Sequence, residues 1–307
     1  MWAITSFYNP LHYKTRLSNY KFFRSHLKLP LVTVELSFDG EFELSKDDAD
    51  VLIQISDGAI LWQKERLLNV AIDSVPSNAK DVAWVDCDVV FRNADFAEEA
   101  AAKLKYYNAI QLFSDTVDLS NADIDAQLKL TEASPTGLGV IYVRDADPAR
   151  ALTVGSGSKE SRKIQKGLAW AAKRDILKKH GLYDALILGS ADRAMTFAMF
   201  GCFDLATCSL NMNEARERHY LKWAEPFHRS VGGRIGYLNG RIYHLWHGDI
   251  ENRGYADRHS ILSRFNFDPE TDLRIGANGA WQWARPRAEF QQAIVEYFAR
   301  RAEDGAS

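Results

Sequence analysis

The first half of the chain alternates short apolar runs with stretches of helical periodicity, and that alternation leaves few folds open. Neighbouring parallel strands need a crossover, usually a helix, so the pattern predicts βαβ units on a mainly parallel sheet. Residues 2–7 read as a first strand ending in the turn Tyr8-Asn9-Pro10, and residues 16–26 as a helix. A second strand over 31–36 is closed by Glu35 and the turn Asp39-Gly40, and 51–55 supplies a third. Leu61, Leu68, Ile72 and Val75 then recur at helical spacing until Pro76 stops the pattern. Val82-Ala83-Trp84-Val85 is an unbroken apolar run, the mark of a strand covered on both faces. Residues 109–113 and 140–143 have the same character.

Further along, residues 153–167 are rich in Gly, Ser and Lys and read as a loop, followed by a helix over 168–179 with Gly181 as its stop. Residues 234–246 read as two strands joined at Asn239-Gly240, a hairpin signal. A last helix over 287–301 puts Phe290, Ile294, Tyr297 and Phe298 on one packing face. The expected architecture is α/β, one large domain over residues 1–280 with a mixed, mainly parallel sheet flanked by helices. Its first part covers about 1–115 and its second about 116–280, and a C-terminal helical extension follows over 281–307.

Composition narrows the function classes. A chain of 307 residues with 46% hydrophobic content can bury a sizeable core. Its formal net charge of −3 offers no whole-chain attraction to nucleic acid or to an anionic membrane surface. Cys87, Cys202 and Cys208 form neither a disulfide framework nor a metal knuckle, so reduced thiols and a cytoplasmic location are expected. The opening residues do not read as a secretory leader, and no apolar run is long enough to span a bilayer.

The sharpest chemical feature is AWVDCDVVF, where Asp86 and Asp88 directly follow a buried strand. Period-two alternation puts both carboxylates on one side, just beyond a strand end, where open α/β sheets bind ligands. Two unpaired acids there repel each other, and a divalent cation such as Mg²⁺ or Mn²⁺ relieves the repulsion. The alternative is a solvated turn that happens to bear two acids. A second cluster, RIYHLWHGDIENRGYADR, places His244 and His247 three residues apart. Imidazole is a good third ligand beside carboxylates for Mn²⁺. On an extended strand the two histidines face opposite ways, so one of them is expected at the metal.

These motifs, in this order over about residues 1–280, resemble those of glycosyltransferases of the GT-A fold. The resemblance implies that TSFYNP, with Phe7, Tyr8 and Asn9, grips the nucleotide of the donor. It implies that Asp88 ligates a Mn²⁺ or Mg²⁺ ion on the donor diphosphate, and that Asp86 ligates it too or holds the ribose. The late histidine of the family matches His244, with His247 in reserve. The family's G-x-x-D…G…D region matches Asp184, Gly189 and Asp192, which makes Asp192 the candidate base. Many inverting relatives carry Glu-Asp where this chain has Ala191-Asp192-Arg193, so inversion or retention stays open. The resemblance makes about 1–115 the donor half and about 116–280 the acceptor and closing elements, and the implied donor is a UDP- or GDP-sugar. The acceptor carries a hydroxyl and is otherwise open: saccharide, lipid-linked glycan, protein or a modified nucleic-acid base.

Other residues carry paired readings. Glu35 binds the ribose or base edge, or is an ordinary exposed acid. Lys64 and Arg66 face the phosphates, or form a solvated helix face. Arg253, Tyr255 and Arg258 clamp the diphosphate, or are surface charges. The 153–167 loop is a lid over the donor, or a plain insertion. Trp170 and Trp223 stack on sugar faces, or pack in the core. Among rival functions, a haloacid-dehalogenase-like phosphatase would use Asp86 as nucleophile, Asp88 as general acid and Ser114 as a second motif. It leaves HLWHG without a role and normally opens the chain with that strand. A nucleotidyltransferase would share the fold but needs a Gly-rich, Arg-containing loop after the first strand, which TSFYNP does not supply. A non-catalytic sugar-binding protein on the same scaffold is the third alternative. Oligomeric state is not legible.

Overall fold

The computed structural model describes residues 1–129, 136–137, 164–254 and 257–305. The strand expected over 140–143, most of the loop over 153–167, and Tyr255 lie outside the described residues. Strands β1 (Trp2–Tyr8), β2 (Leu31–Leu36), β3 (Val51–Ile55) and β4 (Asp81–Val85) pair in parallel in the order β4-β1-β2-β3. Helices α1 (Lys14–His26) and α2 (Lys64–Ser74) make the crossovers β1→β2 and β3→β4. The chain continues through β5 (Val89–Phe91), β6 (Ala109–Gln111), β7 (Asp115–Asp118), β8 (Thr136–Gly137) and β9 (Ile164–Gln165). Strands β10 (Ala169–Lys173), β11 (Ile235–Tyr237) and β12 (Arg241–His244) follow.

A seven-stranded sheet has the order β11-β6-β10-β4-β1-β2-β3, with β10 running antiparallel to both neighbours. The expected α/β architecture on a mixed, mainly parallel sheet is the one found. Alternate residues of its strands enter opposite cores. Ile4, Val82 and Trp84 pack with Leu67, Leu68 and Ile72 of α2, while Ala3, Ala83 and Val85 pack with Phe23 of α1. This two-sided cover is why these strands read as continuous apolar runs.

Two local expectations are corrected. The stretch AWAAK, read as the start of a helix, is β10, and only Arg174–His180 is helical. Alanine favours helix in isolation, but the slot between β4 and β6 is buried on both faces. Trp170 there lies opposite Trp84, with stacked rings 6.4 Å apart. Tertiary pairing overrides propensity. Gly181 does end the following helix, at φ +65.

The hairpin read over 234–246 is not one. β11 pairs in parallel with β6 at the edge of the large sheet. β12 instead enters a second sheet, of order β5-β12-β7-β8-β9. A tight hairpin turn needs positive φ at both central residues; neither Asn239 nor Gly240 adopts it. The backbone of Gly240 is held by Ser114 instead.

The C-terminal part is integral to this body. Trp281, in a two-stranded ladder of Leu273–Ile275 with Trp281–Trp283, accepts a bond from Ala59 N (2.9 Å). Phe290, Ile294, Tyr297 and Phe298 of the helix Ala288–Arg300 enter the same core as Ile4 and Trp84. No helix among the described residues is long and apolar enough to cross a membrane, and the three cysteines are unbridged.

Candidate functional site

The chain leaves β4 at Val85, and the next three residues are a turn rather than strand. Asp86 N is held by Leu168 O at 2.8 Å, and Asp88 O accepts from Leu245 N at 2.8 Å. Because the pleat has ended, the alternation rule no longer fixes the directions of the two carboxylates. Asp86 and Asp88 take different partners, Lys64 for one and the two histidines for the other, while Asp88 stays near enough to raise the Asp86 carboxyl.

Asp88 faces both histidines. Its Oδ2 lies 3.6 Å from His244 Nε2 and 3.4 Å from His247 Nε2, and the two ring nitrogens are 3.2 Å apart. The expectation that only one histidine reaches the site fails, because β12 stops at His244 and His247 is not on the strand. Asp88, His244 and His247 each offer a ligand atom, all within 4.8 Å of one another. Behind them, Asp118 Oδ1 bonds His244 Nδ1 at 2.9 Å, fixing the ring so that Nε2 points at Asp88. Burial works against the charged form of His244, but Asp88 and Asp118 outweigh it and raise the imidazole to about 10. Burial, then Arg253 and His244, override Asp88 at His247 and depress it to about 3. Burial would raise the Asp88 carboxyl; His244 and His247 hold it well below the usual carboxylate range.

The second cluster centres on Lys64, at the first turn of α2. Its Nζ lies 2.6 Å from Asp86 Oδ1, 3.0 Å from Asp192 Oδ2 and 3.9 Å from Glu65 Oε1. Lys64 is therefore no solvated helix residue; it is buried and bridges two candidate site acids from distant parts of the chain. Burial disfavours its charge, yet Asp192 and Asp86 hold its pKa well above the ordinary value. Burial pushes Asp86 up to about 7 despite Lys64, with Asp192 and Asp88 adding to the rise. Glu65 goes up to about 8, again chiefly through burial. Asp192 stands in the first turn of the helix Ala191–Met199, and a Cβ on Gly167 would come within 2.6 Å of its Oδ2. Glycine at 167 lets the backbone pass this carboxylate.

The remaining predicted residues are placed as follows. Phe7 and Tyr8 are buried, Phe7 edge-on to Tyr20 and Tyr8 edge-on to Trp62. Asn9 ties its own turn, donating to Tyr13 O (3.0 Å) and accepting from Tyr13 N (2.9 Å). Glu35 is no exposed acid: it is buried and accepts from Glu43 N, Leu44 N and Gln54 Nε2. Its Oε1 is thereby committed to the loop after β2 and its Oε2 to Gln54 on β3. Arg66 turns away from both clusters to pair with Asp184 at 2.9 Å. It lines a cleft of about 670 Å³ with Asp184, His219 and Trp223, which does not open at Asp88. Arg253 donates to Gly248 O at 3.2 Å beside the His247 turn and helps depress that imidazole. Arg258 is buried against Ser190 and Tyr297, far from a surface charge. Trp170 is core. The Ser114 hydroxyl both donates to and accepts from the Gly240 backbone, so the second motif of the phosphatase reading is not assembled.

Asp118 and Glu65 were missed. Nothing in DTVD marks its last residue as a histidine partner; only the register His244↔Asp118 between β12 and β7 does so. Glu65, beside Lys64 in sequence, has a buried Oε1 without a hydrogen-bond partner among the described residues.

No family model matches the chain, and no curated protein does. Among solved structures it is similar to S. aureus TarS (14% identity, TM-score 0.38), over 98% of this chain and 43% of that one. It thus spans less than half of that protein's length. It is also similar to glucosyl-3-phosphoglycerate synthase from Mycobacterium tuberculosis, solved with Mn²⁺, uridine diphosphate and phosphoglyceric acid (10% identity, TM-score 0.40), over 92% and 86% of the two chains. A third is 4-diphosphocytidyl-2C-methyl-D-erythritol synthase from Anaerococcus prevotii (8% identity, TM-score 0.34; 78% and 87%). At these identities and scores the likeness concerns overall α/β architecture and gives no residue a role.

Proposed function

We propose that this chain is a divalent-metal-dependent glycosyltransferase of the GT-A kind, taking a nucleoside-diphosphate sugar as donor and a hydroxyl-bearing acceptor. The observation that carries the reading is the convergence of Asp88, His244 and His247 beyond the end of β4, next to the Lys64–Asp86–Asp192 cluster. The donor set fits a cation on its own chemistry. Asp88 Oδ1 is buried with no hydrogen-bond partner among the described residues, and two imidazole nitrogens face the same point. One carboxylate and two imidazoles suit Mn²⁺ better than Mg²⁺. A cation held there would offset the charge that develops on the departing diphosphate.

The protein's own groups divide the remaining work. Asp118 orients His244. Lys64 holds the Asp192 carboxylate in place, and Asp192 is assigned to accept the proton of the acceptor hydroxyl. Asp86, paired with Lys64 rather than with the histidines, is assigned to the donor's ribose in place of the metal. The end of β1 and the turn after it, with Phe7, Tyr8 and Asn9, are assigned to the nucleotide side. Arg253, which donates to Gly248 O beside the His247 turn, is assigned to the diphosphate.

The test is thermal unfolding with UDP and GDP, each with and without Mn²⁺. A ligand at about 100 times its Kd adds about 2.7 kcal/mol of stability. Stabilisation that needs both nucleotide and Mn²⁺, and is lost in Asp88→Ala, supports the reading. Metal-independent stabilisation, or an unaffected Asp88→Ala, removes it. Release of sugar from the preferred donor then separates an enzyme from a sugar-binding relative.

A further inference from the structure

The helix Ala288–Arg300 packs as its pattern predicts, but the five residues after it are built into the neighbourhood of the metal cluster. Glu303 is 1% exposed and is gripped by two guanidinium groups. Arg16 reaches it with Nε at 2.5 Å and Nη2 at 2.8 Å, and Arg301 with Nε at 2.5 Å. Arg16 also donates to Tyr8 O at 2.6 Å, at the end of β1. Asp304 accepts from Lys14 N (3.0 Å) and Thr15 N (2.8 Å), the opening amides of α1. That helix has no side-chain cap of its own and no acid in its first turn, so Asp304 caps it from nearly 300 residues away.

The same segment lies against the residues next to His247. Gly248 sits at φ +87, and a Cβ there would be 3.0 Å from both Arg301 O and Glu303 Cα. Gly305 stands 3.5 Å from the Trp246 ring when given a Cβ, and Asn19 of α1 donates to Trp246 O at 2.9 Å. The turn 246–248 is thus held from one side by the strap and from the other by the helix the strap caps. Since His247 is off the strand, no sheet hydrogen bond fixes it as one fixes His244.

We propose that residues 301–305 are a positioning strap for the metal site: Glu303, clamped by Arg16 and Arg301, and Asp304 hold the 246–248 turn so that His247 stands beside His244 and Asp88. The inference rests on the metal reading above for its consequence, though not for its geometry. Outer contacts of this kind change metal affinity by about 10–100-fold when removed.

The test uses metal-free full-length protein and the variants Glu303→Gln, Asp304→Ala and His247→Ala, titrated with MnCl₂ by calorimetry, with amide exchange followed at residues 245–248. Glu303→Gln should keep the wild-type far-UV spectrum, lose about tenfold in Mn²⁺ affinity and exchange faster at 245–248. If Glu303→Gln does not fold, Asp304→Ala carries the test, since it removes only the bonds to α1; it should show the same faster exchange and a smaller loss of affinity. Folded variants with wild-type exchange at 245–248, or with faster exchange confined to residues 13–16, overturn the strap. If wild type itself shows no His247-dependent Mn²⁺ binding, the metal reading fails, while the exchange arm still decides whether the strap holds the turn.

Discussion

Replacing Lys64 by Met tests the charge arrangement that links the two halves of the site. The change keeps most of the side chain's volume and removes one buried cation. At 2.6 and 3.0 Å the attractions to Asp86 and Asp192 are about 6 and about 5.5 kcal/mol in an effective dielectric of about 20. The cost of desolvating Lys64 offsets much of this, and breaking one partner of a buried pair costs about 3–5 kcal/mol. Asp86 and Asp192 keep 23% and 26% of their side-chain surface in solvent, so the lower figure applies. For a chain of this size, about 3 kcal/mol lowers the melting temperature by roughly 5–10 °C.

The loss has a pH signature. Asp86 at about 7 and Glu65 at about 8 hold protons in the folded state that the unfolded chain releases above about pH 4. Groups raised in this way favour folding at low pH and lose that contribution as pH rises through 7 to 8. Without Lys64 both carboxyls climb further, so the deficit of the variant should be smaller at about pH 5.5 and full at about pH 8.5. Calorimetric scans at the two pH values measure it. Adding Asp86→Asn to Lys64→Met should recover part of the loss, a non-additivity expected of directly bonded groups. Equal losses at both pH values, or a purely additive double variant, would refute the bridging role of Lys64.

Three further outcomes are expected. Asp118→Asn should weaken Mn²⁺ binding about tenfold while leaving the melting temperature of the metal-free protein nearly unchanged, because only the hydrogen bond orienting His244 is altered. Asp192→Asn should bind donor and metal as wild type does but lose about 10²–10⁴ in turnover, measured as transfer or donor hydrolysis; unchanged turnover removes Asp192 from the base role. Glu303 is held well below the usual carboxylate range: burial would raise it, but Arg16 and Arg301 outweigh that. Its stabilising contribution is therefore present above about pH 4.5 and disappears as pH falls toward the depressed value, so Glu303→Gln should flatten the acid limb of the stability curve. An acid limb identical to wild type would count against the clamp.

The parallel half of the fold was legible because each strand is covered on both faces and each crossover helix carries one apolar stripe, as in α2 with Leu68 and Ile72. Legibility failed where tertiary pairing outvotes local preference. Ala169 to Lys173 form a strand only because β4 and β6 leave a slot for one, and Asn239-Gly240 joins two sheets in place of a hairpin. At the site, the residue types were readable and the directions were not. Asp86 and Asp88 share a motif yet take different partners, and the strand before them ends at Val85. His244 and His247 meet, β12 having ended between them. Lys64 and Asp118 joined the clusters through contacts spanning 128 and 126 residues, which no local window contains.

The placement of Asp88, His244 and Asp118 has a bearing on how such a chain can diversify. Backbone ladders set Val89 opposite His244 and His244 opposite Asp118, so the three side chains emerge at adjoining strand ends. Their spacing is dictated by ladder hydrogen bonds, while the chain between 118 and 244 also supplies β10 to the large sheet and Asp192 to the Lys64 cluster. On the proposed reading, loops of that stretch that spare β10 and Asp192 can lengthen, shorten or change surface without moving Asp88, His244 and Asp118, so the acceptor could change while the proposed donor site is retained.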